Sequence, residues 1–266
     1  MNNKEIERSI ITTYRKEIKG KFIKAIKIYD LIEDGDRIAV CISGGKDSLL
    51  MAKLFQELVL HGVKNFEVLY ISMDPGYSEE VREKNQRLFD FLEIPVETFE
   101  TDVFEVAEVL TSGVNPCYMC ARMRRGALYS KAESLGCNKI ALGHHLDDVI
   151  ETILLNIFYA GSYQTMLPKI KAKNFQGMSL IRPLYLIRER DILRFVKRAK
   201  ISPIDCACEV AASKTGNKRY EIKSLIGELE EKNPNIVANI LRSSENVNID
   251  AVLGYKSEGR HFGFLD

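Results

Sequence analysis

Three stretches carry residue types at spacings that can do chemistry. In Ser43-Gly44-Gly45-Lys46-Asp47-Ser48, six positions hold two glycines, two hydroxyls, a cation and a carboxylate. Glycines permit a tight turn and close ligand approach, while the amides of a helix N-terminus and a lysine attract phosphate. The turn is more compact than the common phosphate loop, whose first glycine stands five residues before its Gly-Lys pair. On spacing alone it also reads as a plain turn before a helix. In Gly143-His144-His145-Leu146-Asp147-Asp148, followed by Glu151-Thr152, two adjacent carboxylates open an apolar run. Together with Asp47 they are candidate Mg²⁺ ligands, because Mg²⁺ prefers one or two carboxylates plus substrate phosphate oxygens. The alternative reading is that Asp147 and Asp148 cap the helix running to Tyr159.

The third stretch is a set of thiols. Cys117 and Cys120 form a C-x-x-C inside Asn115-Pro-Cys-Tyr-Met-Cys-Ala-Arg-Met-Arg-Arg-Gly126, and Cys206-Ala207-Cys208 follows far downstream. Such a pair permits thiol redox chemistry, zinc or an iron-sulfur cluster. Tetrahedral zinc would have to recruit the C-x-C, an awkward structural-zinc pair. Cys41 and Cys137 stand alone in apolar or helical surroundings and read as small buried hydrophobes. In the reducing compartment expected here, six cysteines do not suggest a disulfide framework.

These residues need a scaffold. Buried-strand patterns cover Arg37 to Ile42, Phe66 to Ser72, Pro95 to Phe99 and Lys139 to Gly143, with a weaker fifth over Ser179 to Leu184. Helical patterns cover Lys46 to Leu60, Glu79 to Leu92 and Cys120 to Leu135. The alternation predicts an α/β fold with a doubly wound, mostly parallel five-stranded sheet, and ligands beyond the carboxyl ends of its strands. The expected division is an N-terminal helical extension over 1–34, a catalytic domain over 35–200 and a C-terminal segment over 201–266. That segment holds helices over Lys218 to Glu231 and Asn235 to Arg242, and an unpatterned arm from Gly254 to Asp266.

With 266 residues, 45% hydrophobic and 28% charged, the chain reads as a globular protein. No apolar stretch approaches the roughly 20 residues of a membrane span, and a polar N-terminus argues against a secretory signal, so a cytoplasmic location without membrane partners is expected. Net charge is +1, so any nucleic-acid surface must come from local clusters. One is Arg15, Lys16, Lys19, Lys21, Lys24 and Lys27, interleaved with Phe22, Ile23 and Ile26; the other is Arg122, Arg124 and Arg125. Each reads equally as a solvated helix face.

The first stretch resembles the SGGxDS signature of the PP-loop ATP pyrophosphatases, and Gly143 to Thr152 resembles the GHHxDDxxET block of their tRNA-modifying branch. The resemblance implies an adenine nucleotide alpha hydrolase-like fold that releases pyrophosphate while adenylating a substrate. It places ATP on Ser43, Gly44, Gly45, Lys46, Asp47, Ser48 and Gly143, its phosphates on the Ser43-Ser48 turn and its adenine near Ile42, Ser72 and Met73. Lys46, Asp47, Asp147 and Asp148 become the catalytic set, the three acids holding Mg²⁺. Asn115 to Gly161 further resembles the TtcA family of tRNA 2-thiocytidine synthetases, with resemblance over Arg37 to Lys223. This implies a 4Fe-4S cluster on Cys117, Cys120 and either Cys206 or Cys208, Cys206 being preferred. The family pattern has C-x-x-C at this point, where this chain has C-x-C. Also implied are cytidine 32 of tRNA as substrate, a cysteine desulfurase as sulfide donor and a homodimer. Arg122, Arg124, Arg125 and Arg182 become candidate RNA contacts, Arg182 equally a structural ion-pair residue. The rivals are a lysidine-type ligase, which needs no thiols, a zinc-containing uridine thiolase, which carries more C-x-x-C pairs, and a non-catalytic iron-sulfur RNA-binding module.

Overall fold

The computed structural model describes residues 1–62, 64–103, 116–204 and 216–265. Two compact units share the chain: Met1–Asp148 with Leu167–Gly216, and Val149–Met166 with Asn217–Asp266.

The first unit is built on a six-stranded sheet: β1 (Arg37–Cys41), β2 (Glu67–Asp74), β3 (Val96–Glu100), β4 (Lys139–Ala141), β5 (Lys169–Lys171) and β6 (Ser179–Ile181). Their order is β3-β2-β1-β4-β6-β5. The first four and β6 are parallel, with Ile38 opposite Val68 on one side and Lys139 on the other. Five strands were expected; the sixth, β5, is antiparallel to β6 and closes the edge. Its sequence, Lys-Ile-Lys, offers no apolar run, and lysines on an edge strand discourage further pairing. The connections α3 (Lys46–His61), α4 (Glu79–Phe91) and α5 (Pro116–Ser134) occupy the segments read as helical. Because parallel strands are covered on both faces, β1 after its exposed Arg37 is an unbroken apolar run. Ala39, Cys41, Ile71, Ile140 and Leu180 form one side of it and pack with Ala132, Cys137 and Met178.

Buried polar pairs lock the frame. Lys139 Nζ meets Asp36 Oδ2 at 2.5 Å, both side chains about 5% exposed or less, which joins the starts of β1 and β4. Lys53, 1% exposed, gives its three donors to Asn3 Oδ1, Glu7 Oε1 and the Leu92 carbonyl at 2.9, 2.7 and 3.1 Å. The second set ties the N-terminal extension to α3. In that extension, α1 (Asn3–Ile11), a π-helical turn (Arg15–Lys19) and α2 (Gly20–Ile28) bury Ile6, Ile10, Tyr14, Ile18, Phe22 and Ile26. A spacing of four rotates a straight α-helical stripe by about 40° at each step. The turn between them, with Lys19 N–H donating to the Tyr14 carbonyl at 3.1 Å, takes up that excess and keeps the stripe inward.

Two further helices belong to the frame of the site. One is α6 (Leu146–Ala160), which follows β4. The other, α7 (Glu189–Ala199), was absent from the sequence reading. Its buried Ile192, Phe195, Val196 and Ala199 recur at helical spacing, but six basic residues over 188–200 mask the pattern.

The second unit contains most of α6, then α8 (Gly216–Lys232), α9 (Ile236–Glu245) and a hairpin, β7 (Gly254–Ser257) with β8 (Arg260–Gly263). Arg219 Nε meets Glu151 Oε2 at 2.5 Å, and Tyr163 bonds Ser243 at 2.8 Å. The hairpin replaces the expected unpatterned arm. Glu258 and Gly259, with φ of 51° and 78°, form the two-residue turn whose twist suits antiparallel strands.

Candidate active site

Strands β1 and β4 are neighbours, yet the chain runs from β1 outward to β2 and from β4 outward to β6. That reversal opens a crevice at their carboxyl ends. The Ser43-Ser48 turn leaves β1 and the Gly143-Asp148 block leaves β4, so both motifs meet there.

The loop is held by its own hydroxyls. Ser48 Oγ accepts from Ser43 N–H at 3.1 Å, donates to the Gly45 carbonyl at 2.9 Å and lies 3.2 Å from Ser43 Oγ. The first intrahelical bond of α3 runs from Leu49 N–H to the Gly45 carbonyl, so the amides of Lys46, Asp47 and Ser48 stand without helical partners. That is an anion cradle. Gly44 has φ of 76°, and a Cβ there would lie 2.1 Å from Asn85 Oδ1. At Gly143 a Cβ would press within 3.2 Å of Ser48 N, against the amides that would face a phosphate. Both glycines keep the cradle open, which suits the phosphates of ATP.

Charges converge on it. Lys46 Nζ lies 3.0 Å from Asp47 Oδ2 and 3.2 Å from Glu189 Oε1. Burial pulls the lysine's pKa down, but Asp47 and Glu189 together outweigh it and hold it above its ordinary value. For Asp47, burial pushes the pKa up, only partly offset by His145 and Lys46. Asp147 takes Arg188 Nε on Oδ1 at 3.0 Å and the Glu189 N–H on Oδ2 at 2.6 Å, tying α6 to the start of α7. Asp148 Oδ2 accepts from the His145 N–H at 3.0 Å, while the Asp148 N–H approaches His145 Nδ1 at 3.4 Å. The capping role raised as an alternative for these acids is therefore present, reciprocally, at Asp148.

Sequence reasoning quoted His145 without giving it a role. It is buried, and its ring sits among all three acids: Nε2 is 3.7 Å from Asp47 Oδ1, and Nδ1 is 3.4 and 4.0 Å from Asp148 and Asp147. Nδ1 faces the Asp148 amide and Nε2 faces Asp47. Among the described residues, no three acidic, histidine or cysteine side chains are spaced to hold a metal alone. Mg²⁺ does not ask for that, since substrate phosphates complete its shell.

At the ends of β2 and β3 a cavity of about 540 Å³ is lined by Ser72, Met73, Asp74, Asn85 and Thr98, among others. It adjoins the cradle through Asn85, whose buried Oδ1 has no hydrogen-bond partner among the described residues. Nothing in the sequence singled out Asn85. Ile42 closes the β1 end, its N–H donating to the Ile71 carbonyl at 2.8 Å.

Cys117 and Cys120 fall three residues apart at the start of α5; their side chains, and all of Cys206 and Cys208, lie outside the described residues. The donor set can still be tested by elimination. Cys41 and Cys137 are buried in the apolar core, and burial pushes the Cys41 thiol up to about 12 and raises Cys137 as well. Neither suits a thiolate ligand. The four remaining thiols are those of the two motif segments, a set that fits an iron-sulfur cluster. Ile204, two residues before Cys206 in the sequence, donates its N–H to the Gly44 carbonyl at 3.0 Å. Among the arginines, Arg122 and Arg125 are exposed and Arg124 half-buried. Arg182 is buried, donates through Nη1 to the Leu167 carbonyl, and is lowered to about 10 by burial.

Residues 13–206 match the PP-loop domain family. Over 246 residues, 91% of this chain and 76% of the relative, the sequence is 36% identical to a tRNA-cytidine(32) 2-sulfurtransferase of Shewanella sediminis. It is 37% identical to the protein of that name from Geobacter sulfurreducens, over 87% of this chain and 90% of that one. For Geotalea daltonii the figures are 39%, 87% and 92%. The chain belongs to the PP-loop family and, within it, to the family of these tRNA-cytidine(32) 2-sulfurtransferases. Its fold is shared with the U34-tRNA thiolase NcsA of Methanococcus maripaludis, solved with its 4Fe-4S cluster: the TM-score is 0.66 at 22% identity, covering 85% of this chain and 77% of that one.

Proposed function

We propose that this chain is an ATP-dependent tRNA sulfurtransferase that converts a cytidine, at position 32, to 2-thiocytidine. ATP lies with its phosphates on the Ser43-Ser48 cradle beside Gly143 and its adenine toward Ile42, Ser72 and Met73. The cytidine C2 oxygen attacks the α-phosphorus and pyrophosphate departs; sulfide then adds at C2 and AMP leaves with the oxygen. Lys46 and the free α3 amides stabilise charge gathering on the departing pyrophosphate. Asp47, with Asp147 or Asp148, holds Mg²⁺ against the same phosphates, and His145 orients Asp47.

Cys117, Cys120 and Cys206 or Cys208 are the residues that would hold a 4Fe-4S cluster. Held by three thiolates, such a cluster would supply sulfide beside the activated base. Holding both reactants at one site avoids a bimolecular encounter, which lowers a barrier by up to about 7–11 kcal/mol. The observation that carries the reading is the hydrogen bond from Ile204 to Gly44. It joins Ile204, two residues before Cys206 in the sequence, to the loop proposed to activate the base. Arg122, Arg124 and Arg125 are proposed RNA contacts. Sulfur supply by a cysteine desulfurase, a homodimeric assembly and a cytoplasmic location belong to the same proposal.

The test is nucleoside mass spectrometry of unmodified tRNA incubated anaerobically with the iron-loaded protein, ATP, Mg²⁺ and sulfide. The expected product is 2-thiocytidine, formed only when ATP is present. Appearance of 2-thiouridine or lysidine instead, or of no modified nucleoside, would defeat the reading.

A further inference from the structure

We propose that the outer face of α7 and the π-helical turn form one docking surface for the sugar-phosphate backbone of RNA, leading into the phosphate loop. The proposal rests on the tRNA reading above and adds where the polyanion lies. Residues 8–27 and 188–200 carry thirteen Lys and Arg and only three acids, in a chain whose net charge is +1. The rest of the chain is therefore net acidic, and an asymmetry of this size is an electrostatic footprint for a polyanion.

The two segments are packed together. Tyr14 sets its ring edge-on to Phe195 at 5.6 Å and donates its hydroxyl to the Arg194 carbonyl at 3.1 Å. Lys21 reaches Asp191 at 3.7 Å. Arg15 and Lys16, directly after Tyr14, are exposed on the π turn. On α7, Arg190, Arg194, Lys197 and Arg198 are exposed and recur at three- and four-residue steps, which makes them a single stripe. Its buried face, Ile192, Phe195, Val196 and Ala199, is the opposite one.

Internal neutralisation does not account for the stripe. Lys19 is taken by Glu57 at 2.7 Å, and Arg194 lies 3.6 Å from Asp191. Arg15, Lys16, Lys197 and Arg198 have no carboxylate within ion-pair distance among the described residues. Four cations kept unpaired on one face cost repulsion that a bound polyanion would relieve.

The direction of the stripe fixes its use. At its N-terminal end α7 is joined to the site: the Glu189 N–H bonds Asp147, and Glu189 Oε1 meets Lys46. Nine residues later, about 13 Å along the axis, comes Arg198. A nucleic-acid strand following α7 therefore ends where its base would be adenylated.

Fluorescence anisotropy with labelled, unmodified tRNA over a range of KCl tests this on the full-length protein. Lys197→Glu with Arg198→Glu, and separately Arg15→Glu with Lys16→Glu, should each weaken binding by about tenfold or more. Each should also lower the slope of log K against log salt by about 2, the signature of two lost phosphate contacts. ATP binding and iron content should stay at wild-type levels. Wild-type affinity and slope in both variants, with wild type binding tRNA, would overturn the surface and leave the function standing. Failure of wild type to bind tRNA would overturn both. Unchanged tRNA binding with lost retention on phosphatidylglycerol vesicles would assign the face to a membrane and also overturn the proposal.

Discussion

The amide of Ile204 donates to the carbonyl of Gly44, joining the end of one motif segment to the centre of another across 160 residues of chain. Two peptide units span at most about 7 Å and four about 14 Å. In the sequence Cys206 stands two residues beyond Ile204 and Cys208 four. Cys206→Ser should lose the iron and brown colour on anaerobic purification, as should Cys117→Ser and Cys120→Ser, whereas Cys208→Ser should retain them. Iron and acid-labile sulfide analysis checks this. Loss of iron from Cys208→Ser alone would move the third ligand to Cys208.

Lys46 should separate activation from sulfur delivery. Asp47 and Glu189 keep its pKa high against burial, so it is charged across the working range. Lys46→Ala should leave iron content unchanged and reduce ATP-dependent pyrophosphate release by at least about a hundredfold, the scale of losing one preorganised charge-stabilising donor. A release rate within severalfold of wild type would remove Lys46 from the chemistry.

Gly44 and Asn85 should behave as a coupled pair. A methyl at Gly44 meets two costs: left-handed backbone, about 1–2 kcal/mol for a residue with a Cβ, and collision with Asn85 Oδ1 at 2.1 Å. Gly44→Ala should lower the melting temperature. Asn85→Ala should cost little by itself, because that buried oxygen has no hydrogen-bond partner among the described residues, and should recover part of the loss in the double variant. Strict additivity of the two melting shifts would show that the collision is relieved by backbone movement instead.

What was legible in the sequence was local. The β1 run, the glycine turn and α3 follow one another within 25 residues, so periodicity and turn chemistry located all three. The edge strand β5 escaped because three residues gain their strand character from pairing with β6, not from their own pattern. For α7, the basic residues that hid its periodicity are the ones that make its outer face. The partners of Asp147 and Lys46, Arg188 and Glu189, lie some forty residues beyond Asp147 and far beyond Lys46, and only the folding of α7 against the sheet brings them in. Asn85 sits on an ordinary amphipathic helix with no motif around it. The hairpin could have been found: Glu258-Gly259 between short alternating stretches is a two-residue turn signal.

Asp47 should trade stability for function. Burial raises its folded pKa above the ordinary 3.8, with His145 and Lys46 offsetting only part of the shift. A carboxyl that is harder to ionise in the folded state costs stability once pH exceeds its unfolded value, and the cost grows until the folded value is passed. Asp47→Asn removes that cost while Lys46 keeps Glu189 at 3.2 Å. The variant should therefore melt above wild type at pH 7, and the gap should close as pH falls toward 4, where wild-type Asp47 becomes protonated. It should at the same time lose ATP-dependent pyrophosphate release, since a neutral amide cannot hold Mg²⁺ against the phosphates. Thermal melts of both proteins across pH 4 to 8 decide the first part. A variant that melts below wild type at pH 7 would mean that the pair with Lys46, and not burial, dominates at this carboxylate.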